Sequence, residues 1–168
     1  MPPRSPDKSI PPASLRAAIA ADLPAIEELL VASGLPTAGV AEALSGFIVA
    51  ESSPSSGKLV GVVGLELCCD QYALLRSTAV APDWRGRGLG RELVERAIAE
   101  AGHRGFEALY LLTTTAERYF PSFGFSRTTR EAVPEQVKAS VEFASACPAS
   151  ATVMTLALAG ARQQRGAR

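Results

Sequence analysis

The chain carries one histidine, His103, and three cysteines in 168 residues. So few imidazoles and thiols exclude a zinc centre built from His and Cys, and no metal is expected. Cys68 and Cys69 are adjacent and Cys147 stands alone, an odd and sparse set that reads as reduced thiols, not a disulfide framework. Cys147, between residues that include Pro148 and Ser150, has no base placed beside it and reads as a structural thiol. His103 follows Gly102 at the end of a helical stretch, where an imidazole serves the helix dipole. An excess of either charge is also missing. Lys plus Arg and Asp plus Glu both number 17, and no aromatic-basic ladder occurs, so nucleic acid is not an expected partner. Apolar runs are broken by charge or glycine well short of the ~20 residues of a membrane span. The N-terminus has no apolar signal core, and the expected location is the cytoplasm. No internal repeat is evident.

What the chain does have is 47% apolar residues, enough for one sizeable core. Residues 1–14 hold five prolines among polar residues and read as a flexible leader, 15–158 as one domain and 159–168 as a flexible tail. Leu15 to Ile19 reads as a strand. Asp22 is placed to cap a helix carrying Leu23, Ile26, Leu29 and Leu30, with Pro24 in its first turn and Gly34 at its end. A short helix is expected over Val40 to Leu44. Phe47 to Ala50, Leu59 to Leu67 and Ala73 to Val80 read as strands of an antiparallel meander. Ala108 to Thr113 has the dense apolar character of a buried strand, followed by a helix over Ala116 to Phe123 that Gly124 closes. Phe125 opens a return strand. Pro134 marks a helix start with Val137, Val141 and Ala144 on one stripe, and Thr152 to Leu158 is the last strand.

Between the third meander strand and the following helix lies Arg85-Gly86-Arg87-Gly88-Leu89-Gly90. Leu89, Leu93, Val94, Ala97, Ile98 and Ala101 recur at helical spacing, so the glycines sit at a helix N-terminus. Unpaired amides, the positive end of the dipole and the absence of Cβ atoms make that turn a cup for a phosphate or pyrophosphate. Two other phosphate loops do not fit. A Walker loop needs Lys-Ser/Thr after its last glycine, and Gly90 is followed by Arg91-Glu92; a dinucleotide fingerprint spaces its glycines G-x-G-x-x-G.

With Arg85, the spacing fits Arg/Gln-x-x-Gly-x-Gly/Ala and resembles the acetyl-CoA loop of the GCN5-related N-acetyltransferases (GNAT). Leu111 to Phe120, followed by Phe123-Gly124-Phe125, resembles that family's fifth strand, fourth helix and Gly-Phe closure. More narrowly, Ala21 to Ile26, Ser33 to Thr37, Leu74 to Ser77 and Glu142 to Ala151 resemble acetyltransferases of bacterial arsenic-resistance operons. Phe143 to Met154 is also similar to the acetyltransferase domain of N-acetylglutamate synthases.

The resemblance spans Leu15 to Leu158. It implies an α/β (α+β) GNAT fold: a mixed, mostly antiparallel sheet of about seven strands, flanked by helices, with strands 4 and 5 splayed apart. It implies acetyl-CoA as co-substrate. Amides from Arg87 through Leu89 to Gly90, with Gly86 and Gly88, would take the pyrophosphate, and the backbone of Thr78, Ala79 and Val80 the pantetheine arm. Arg85, Arg87 and Arg91 are candidate phosphate contacts or solvated surface. Thr113, Thr114 and Thr115 stand where the family often has Asn, and these hydroxyls either contact the cofactor or cap the next helix.

On the acceptor side, Arg76 interrupts an apolar strand and calls for an anionic partner, a substrate carboxylate, phosphinate or arsinate, or else Glu66 on the neighbouring strand. Glu66 is a base for the incoming amine or simply that ion-pair partner. Thr37, in the Leu35 to Thr37 loop, faces the acceptor. The family's acid is a tyrosine four positions before the Gly of Gly-Phe, which here is Phe120. Tyr119 lies one residue earlier, ~100° away on a helix. Either the thiolate leaves without a tyrosine acid, the preferred reading, or a local helix distortion brings Tyr119 round. The expected activity is N-acetylation of a small anionic amino-acid-like amine, including arsenic- or phosphinate-containing amino acids; glutamate N-acetylation in arginine synthesis and a non-catalytic acetyl-CoA sensor are the alternatives. The family often forms homodimers, and by that analogy the apolar last strand is expected to pair across a subunit.

Overall fold

Runs of branched apolar residues with small residues between them build the sheet. The computed structural model describes residues 12–53, 57–146 and 148–158. The expectations for most of the leader, for Cys147 and for the tail fall outside those residues. Seven strands, β1 (Ser14–Ala17), β2 (Phe47–Glu51), β3 (Leu59–Leu67), β4 (Tyr72–Val80), β5 (Ala108–Thr113), β6 (Ser126–Thr128) and β7 (Thr152–Ala157), form one sheet in the order β1-β2-β3-β4-β5-β7-β6. Neighbours run antiparallel except β4 and β5, which are parallel.

That parallel pair is short. Only Tyr72 to Leu74 pair with Ala108 to Tyr110, although β4 is nine residues long and β5 six. Beyond Leu74 the two strands part, while β3 still holds the other edge of β4 as far as Val80. The splay is therefore a property of one edge of one strand. Within it, Val62 pairs with Ala79 and Gly64 with Arg76, so Ser77 and Thr78 stand opposite Val63 alone. Ser77 absorbs this bulge at φ 58, the single non-glycine residue at positive φ among the described residues.

Helices cover both faces. α2 (Leu89–His103) buries Leu89, Leu93, Val94, Ala97 and Ala101 against Ile48, Ala50, Leu75 and Leu109. α1 (Leu23–Ala32) buries Ile26 and Leu30 against Phe47, Val49, Val62 and Ala79. Ile48 and Ala50 lie on one face of β2 while Phe47 and Val49 lie on the other, as strand alternation requires. A third cluster joins Leu74, Val133, Val137, Phe143 and Val153. Among the described residues no helix is long and apolar enough to cross a membrane.

Several expected elements differ in form. Val40 to Leu44 is a run of turns ending in a 3-10 turn, Leu44–Gly46. Ala116 to Phe123 is not an α-helix but turns followed by a 3-10 turn, Phe120–Phe123. Pro121 is the cause: it has no N–H to donate and its ring bars the preceding α turn. α3 (Glu135–Lys138) stops after one turn. Val137 is buried, but Val141 is 39% exposed, and the chain continues as a π turn, Glu142–Ala146, which turns Phe143 inward instead.

Asp22 does not cap α1 with its side chain. Its carboxylate accepts the Ile19 N–H at 2.8 Å and a bidentate pair from Arg16 at 2.7 and 2.9 Å, while Arg16 Nε donates to Glu51 at 2.7 Å. One guanidinium thus ties the edge strand β1 to β2 and to the start of α1. The Arg16 hydrogen bond holds the Asp22 carboxyl below the ordinary carboxylate range, against the opposing pull of burial. A carboxyl lowered in the folded state contributes fully above about pH 4 and loses that contribution as pH falls through the lowered value. Asp22→Asn is expected to lower stability by about 2 kcal/mol at pH 7, and to flatten the acid limb of a stability-against-pH curve measured by urea unfolding.

Candidate active site

Gly86 and Gly88 take φ 76 and 84, a region that L side chains avoid, and Gly88 is the residue before the first turn of α2. No side chain caps this helix, so the leading amides of Leu89, Gly90 and Arg91 point out of its N-terminus. A cleft of about 340 Å³ opens there, between Val80 and Trp84 on one side and Gly88, Gly90 and Tyr119 on the other. The glycine loop and the end of β4 therefore share one cavity at the mouth of the splay.

β4 contributes backbone to it. Ala81 donates its N–H to Val60 on β3 at 2.8 Å. Since peptide groups alternate along a strand, that of Val80 faces the other way, into the splay. Val80 O accepts from Arg85 Nε at 3.1 Å. Arg85 is thus bound to the strand, Arg87 lies over the Trp84 ring at 5.0 Å, and Arg91 lies over Phe123 at 4.6 Å while donating to Ser122 Oγ at 3.0 Å. Arg85 and Arg91 line the cleft, and Arg87 is exposed beside it. Thr113 Oγ1 accepts the Ala116 N–H at 2.9 Å and so caps the turn after β5, whereas Thr114 is exposed at the strand's end.

The 3-10 turn decides where Tyr119 goes. Phe120 is buried against Phe125, while Tyr119, in edge contact with Phe120 and Phe123, turns its hydroxyl over α2. A Cβ at Gly90 would lie 3.7 Å from that hydroxyl and 3.6 Å from Val80 Cγ2, so both side chains converge above Gly90. Burial pushes the Tyr119 phenol above its usual pKa, with nearby Arg91 opposing. The phenol keeps its proton at neutral pH.

Four positions before Val80, on the far side of the Ser77 bulge, stands Arg76, whose side chain is 0% exposed. Nη2 donates to Ala38 O at 2.7 Å and Nε to Ser77 Oγ at 3.0 Å. Two carboxylates flank the guanidinium: Glu142 Oε2 lies 3.2 Å from Nε and Glu66 Oε2 3.6 Å from Nη1. Thr37 sits in the same 33–40 segment, its carbonyl accepting the Val40 N–H at 3.2 Å. The structure thus brings Arg76, Glu66 and that loop together and adds Glu142, which pattern reading had passed over. A single charge between Val141 and Phe143 is no signal by itself. Among the described residues no group of three His, Cys, Asp or Glu side chains is disposed to hold a metal ion.

Comparison with known proteins agrees with this architecture. Residues 43–127 match the acetyltransferase (GNAT) domain. An uncharacterized N-acetyltransferase of Chlorobaculum tepidum is 28% identical over 98 residues, 58% of this chain and 61% of that protein. An amino-acid acetyltransferase of Mycobacterium tuberculosis is 30% identical over 131 residues, 73% of this chain and 74% of the relative. The crystal structure of Rv2747 from Mycobacterium tuberculosis in complex with CoA and NLQ superposes with a TM-score of 0.70 at 25% identity, over 86% of this chain and 99% of that one. The domain match covers half of the chain, and the sheet it describes is the one that splays beside the glycine loop; the chain belongs to the GNAT family and carries an acetyl-CoA-dependent N-acetyltransferase domain.

Proposed function

We propose that the chain acetylates the amine of a small amino acid that bears a second anionic group. The observation that carries this reading is Arg76, a fully buried guanidinium on the strand that forms the wall of the cofactor cleft. Burial of such a charge is unfavourable without anionic partners, and in this reading the acceptor's second anionic group is one of them. Likeness to an amino-acid acetyltransferase supports the same acceptor class. Glutamate and the arsinic and phosphinic amino acids all belong to it.

In this scheme the amides at the start of α2, with Arg87 and Arg91 at the rim, bind the diphosphate, and the peptide groups of Thr78 and Val80 hold the pantetheine arm. Placement of both substrates supplies most of the rate, ~7–11 kcal/mol for well-oriented reactants. The Val80 N–H is aimed at the carbonyl oxygen where negative charge develops. Glu66 takes one proton of the acceptor ammonium, the C–N bond forms as the C–S bond breaks, Tyr119 gives its phenolic proton to the departing sulfur, and the second proton shed by the nitrogen passes to water and restores the Tyr119 phenol.

Tyr119→Phe tests the last assignment. Thiolates leave readily, so the expected loss in kcat is about 10–100-fold, the low end of what a general acid supplies. A phenol raised above its usual ~10 stays protonated through neutrality, so kcat in the parent should hold level until strongly alkaline pH. If KM for acetyl-CoA rises while kcat stays put, the hydroxyl holds the cofactor and does not deliver a proton. The acceptor is identified by CoA release with L-glutamate, a phosphinic and an arsinic amino acid in parallel. Turnover of any of them removes the reading of a non-catalytic sensor.

A further inference from the structure

We infer that Glu142 is an exchangeable counter-ion of Arg76, holding in the acceptor-free protein the place that the acceptor's anionic group takes on binding. This rests on the acceptor class proposed above.

The first argument is a count of donors and charges. A guanidinium has five N–H donors. Here Nη2 is engaged by Ala38 O, Nε by Ser77 Oγ with Glu142 close by, and Nη1, although buried, has no hydrogen-bond partner and lies 3.6 Å from Glu66. Two carboxylates stand against one guanidinium, with side chains only 0, 13 and 8% exposed. The acceptor's anionic group would meet two carboxylates already placed at 3.2 and 3.6 Å from the same guanidinium, a like-charge encounter in a dry site that is unfavourable unless one of them withdraws. One resident carboxylate has to leave as the acceptor enters.

The second argument is which one leaves. Glu66 is fixed by β3, where it pairs with Leu74 of β4 in the middle of the sheet. Glu142 opens a π turn between α3 and β7, a winding that is rare and concentrates at functional sites. Exposed Val141 and exposed Ala144 flank that buried stretch on either side.

Steric closure gives the third argument. A Cβ at Gly39, itself at φ 78, would lie 3.1 Å from both Arg76 Nη1 and Val141 Cβ. The 38–40 segment and the 141–142 segment therefore meet over Arg76 with no spare room. Acceptor entry must part them, and release of Glu142 from Arg76 is the step that does so.

The test is a KM comparison with L-glutamate and a phosphinic amino acid as acidic probes and L-glutamine as a probe without the second anion. Glu142→Gln removes the competing charge at constant shape. It is expected to lower KM for the acidic probes about 5–10-fold, with the effect residing in KM more than in kcat and absent for L-glutamine. Glu142→Asp keeps the charge and should return KM towards the parent value. A KM for the acidic probes that is unchanged or raised in Glu142→Gln, or lowered equally for L-glutamine, overturns the inference. Hydrogen exchange over residues 139–146 of the parent protein, with CoA present, gives an independent reading if the variant does not fold. Faster exchange on adding the acidic probe supports displacement, and unchanged or slower exchange overturns it. Should the parent acetylate neither acidic probe, the proposed acceptor class falls and this inference with it; if the parent acetylates them and only the variant's KM fails to drop, the inference falls alone.

Discussion

Gly90→Glu is expected to melt at a higher temperature than the parent and to bind acetyl-CoA at least ~100-fold more weakly. The two effects have separate causes. Position 90 is the second residue of α2, where glycine is about 1 kcal/mol worse than ordinary helix formers and an acidic side chain gains a further ~0.3–1 kcal/mol from the helix dipole. A Cβ there meets nothing closer than 3.6 Å, so the fold accepts it. A domain of this size should gain about 2–4 °C for each kcal/mol. The same carboxylate stands in the cup proposed to take the diphosphate. At ~5 Å and an effective dielectric of ~20, each pair of like charges repels by about 3 kcal/mol, which is the predicted hundredfold. Gly90→Ala separates charge from bulk: it should share most of the thermal gain and keep most of the affinity. Thermal melts and calorimetric titration with acetyl-CoA read both quantities. A Gly90→Glu protein that binds within tenfold of the parent would remove the glycine loop from the cofactor site.

The cup was readable in the sequence because everything that makes it is local. Glycine spacing, the helical recurrence from Leu89 to Ala101 and the end of the preceding strand all lie within 30 residues, and the bounds of β3, β5 and α2 follow directly from their apolar patterns. Tyr119 was less legible. Its place depends on whether 116–123 is an α-helix or a tighter turn, and the decisive residue, Pro121, sits inside an otherwise helix-like run. Weighing that proline would have turned Tyr119 toward the cleft from sequence alone. Glu142 was out of reach. Its role depends on a π turn and on contact with Arg76, a residue 66 positions earlier, and no periodicity encodes either. Asp22 shows the same limit on a smaller scale, since its carboxylate is claimed by Arg16 from a neighbouring strand and not by the helix it precedes.

Arg76→Leu is expected to destabilise the protein by about 3–5 kcal/mol, because it removes the guanidinium that Glu66 and Glu142 both flank in a site nearly closed to water. Loss of the guanidinium also unpairs Ala38 O and Ser77 Oγ, so the loop at Ala38 and the bulge in β4 lose their common tie. The size of the effect reflects stranded charge more than lost attraction. Replacing all three residues, Arg76→Leu with Glu66→Leu and Glu142→Leu, should therefore recover more than half of the deficit, as apolar packing does for other buried ion clusters. Urea unfolding of the parent, the single and the triple variant measures both numbers. A single variant that loses less than ~1 kcal/mol would mean that water reaches the carboxylates and that the cluster is not a dry one. If the triple variant is as stable as the parent, stability cannot be the reason for the charges. Three charged side chains beneath a closed loop then make sense as a site built to exchange one carboxylate for another.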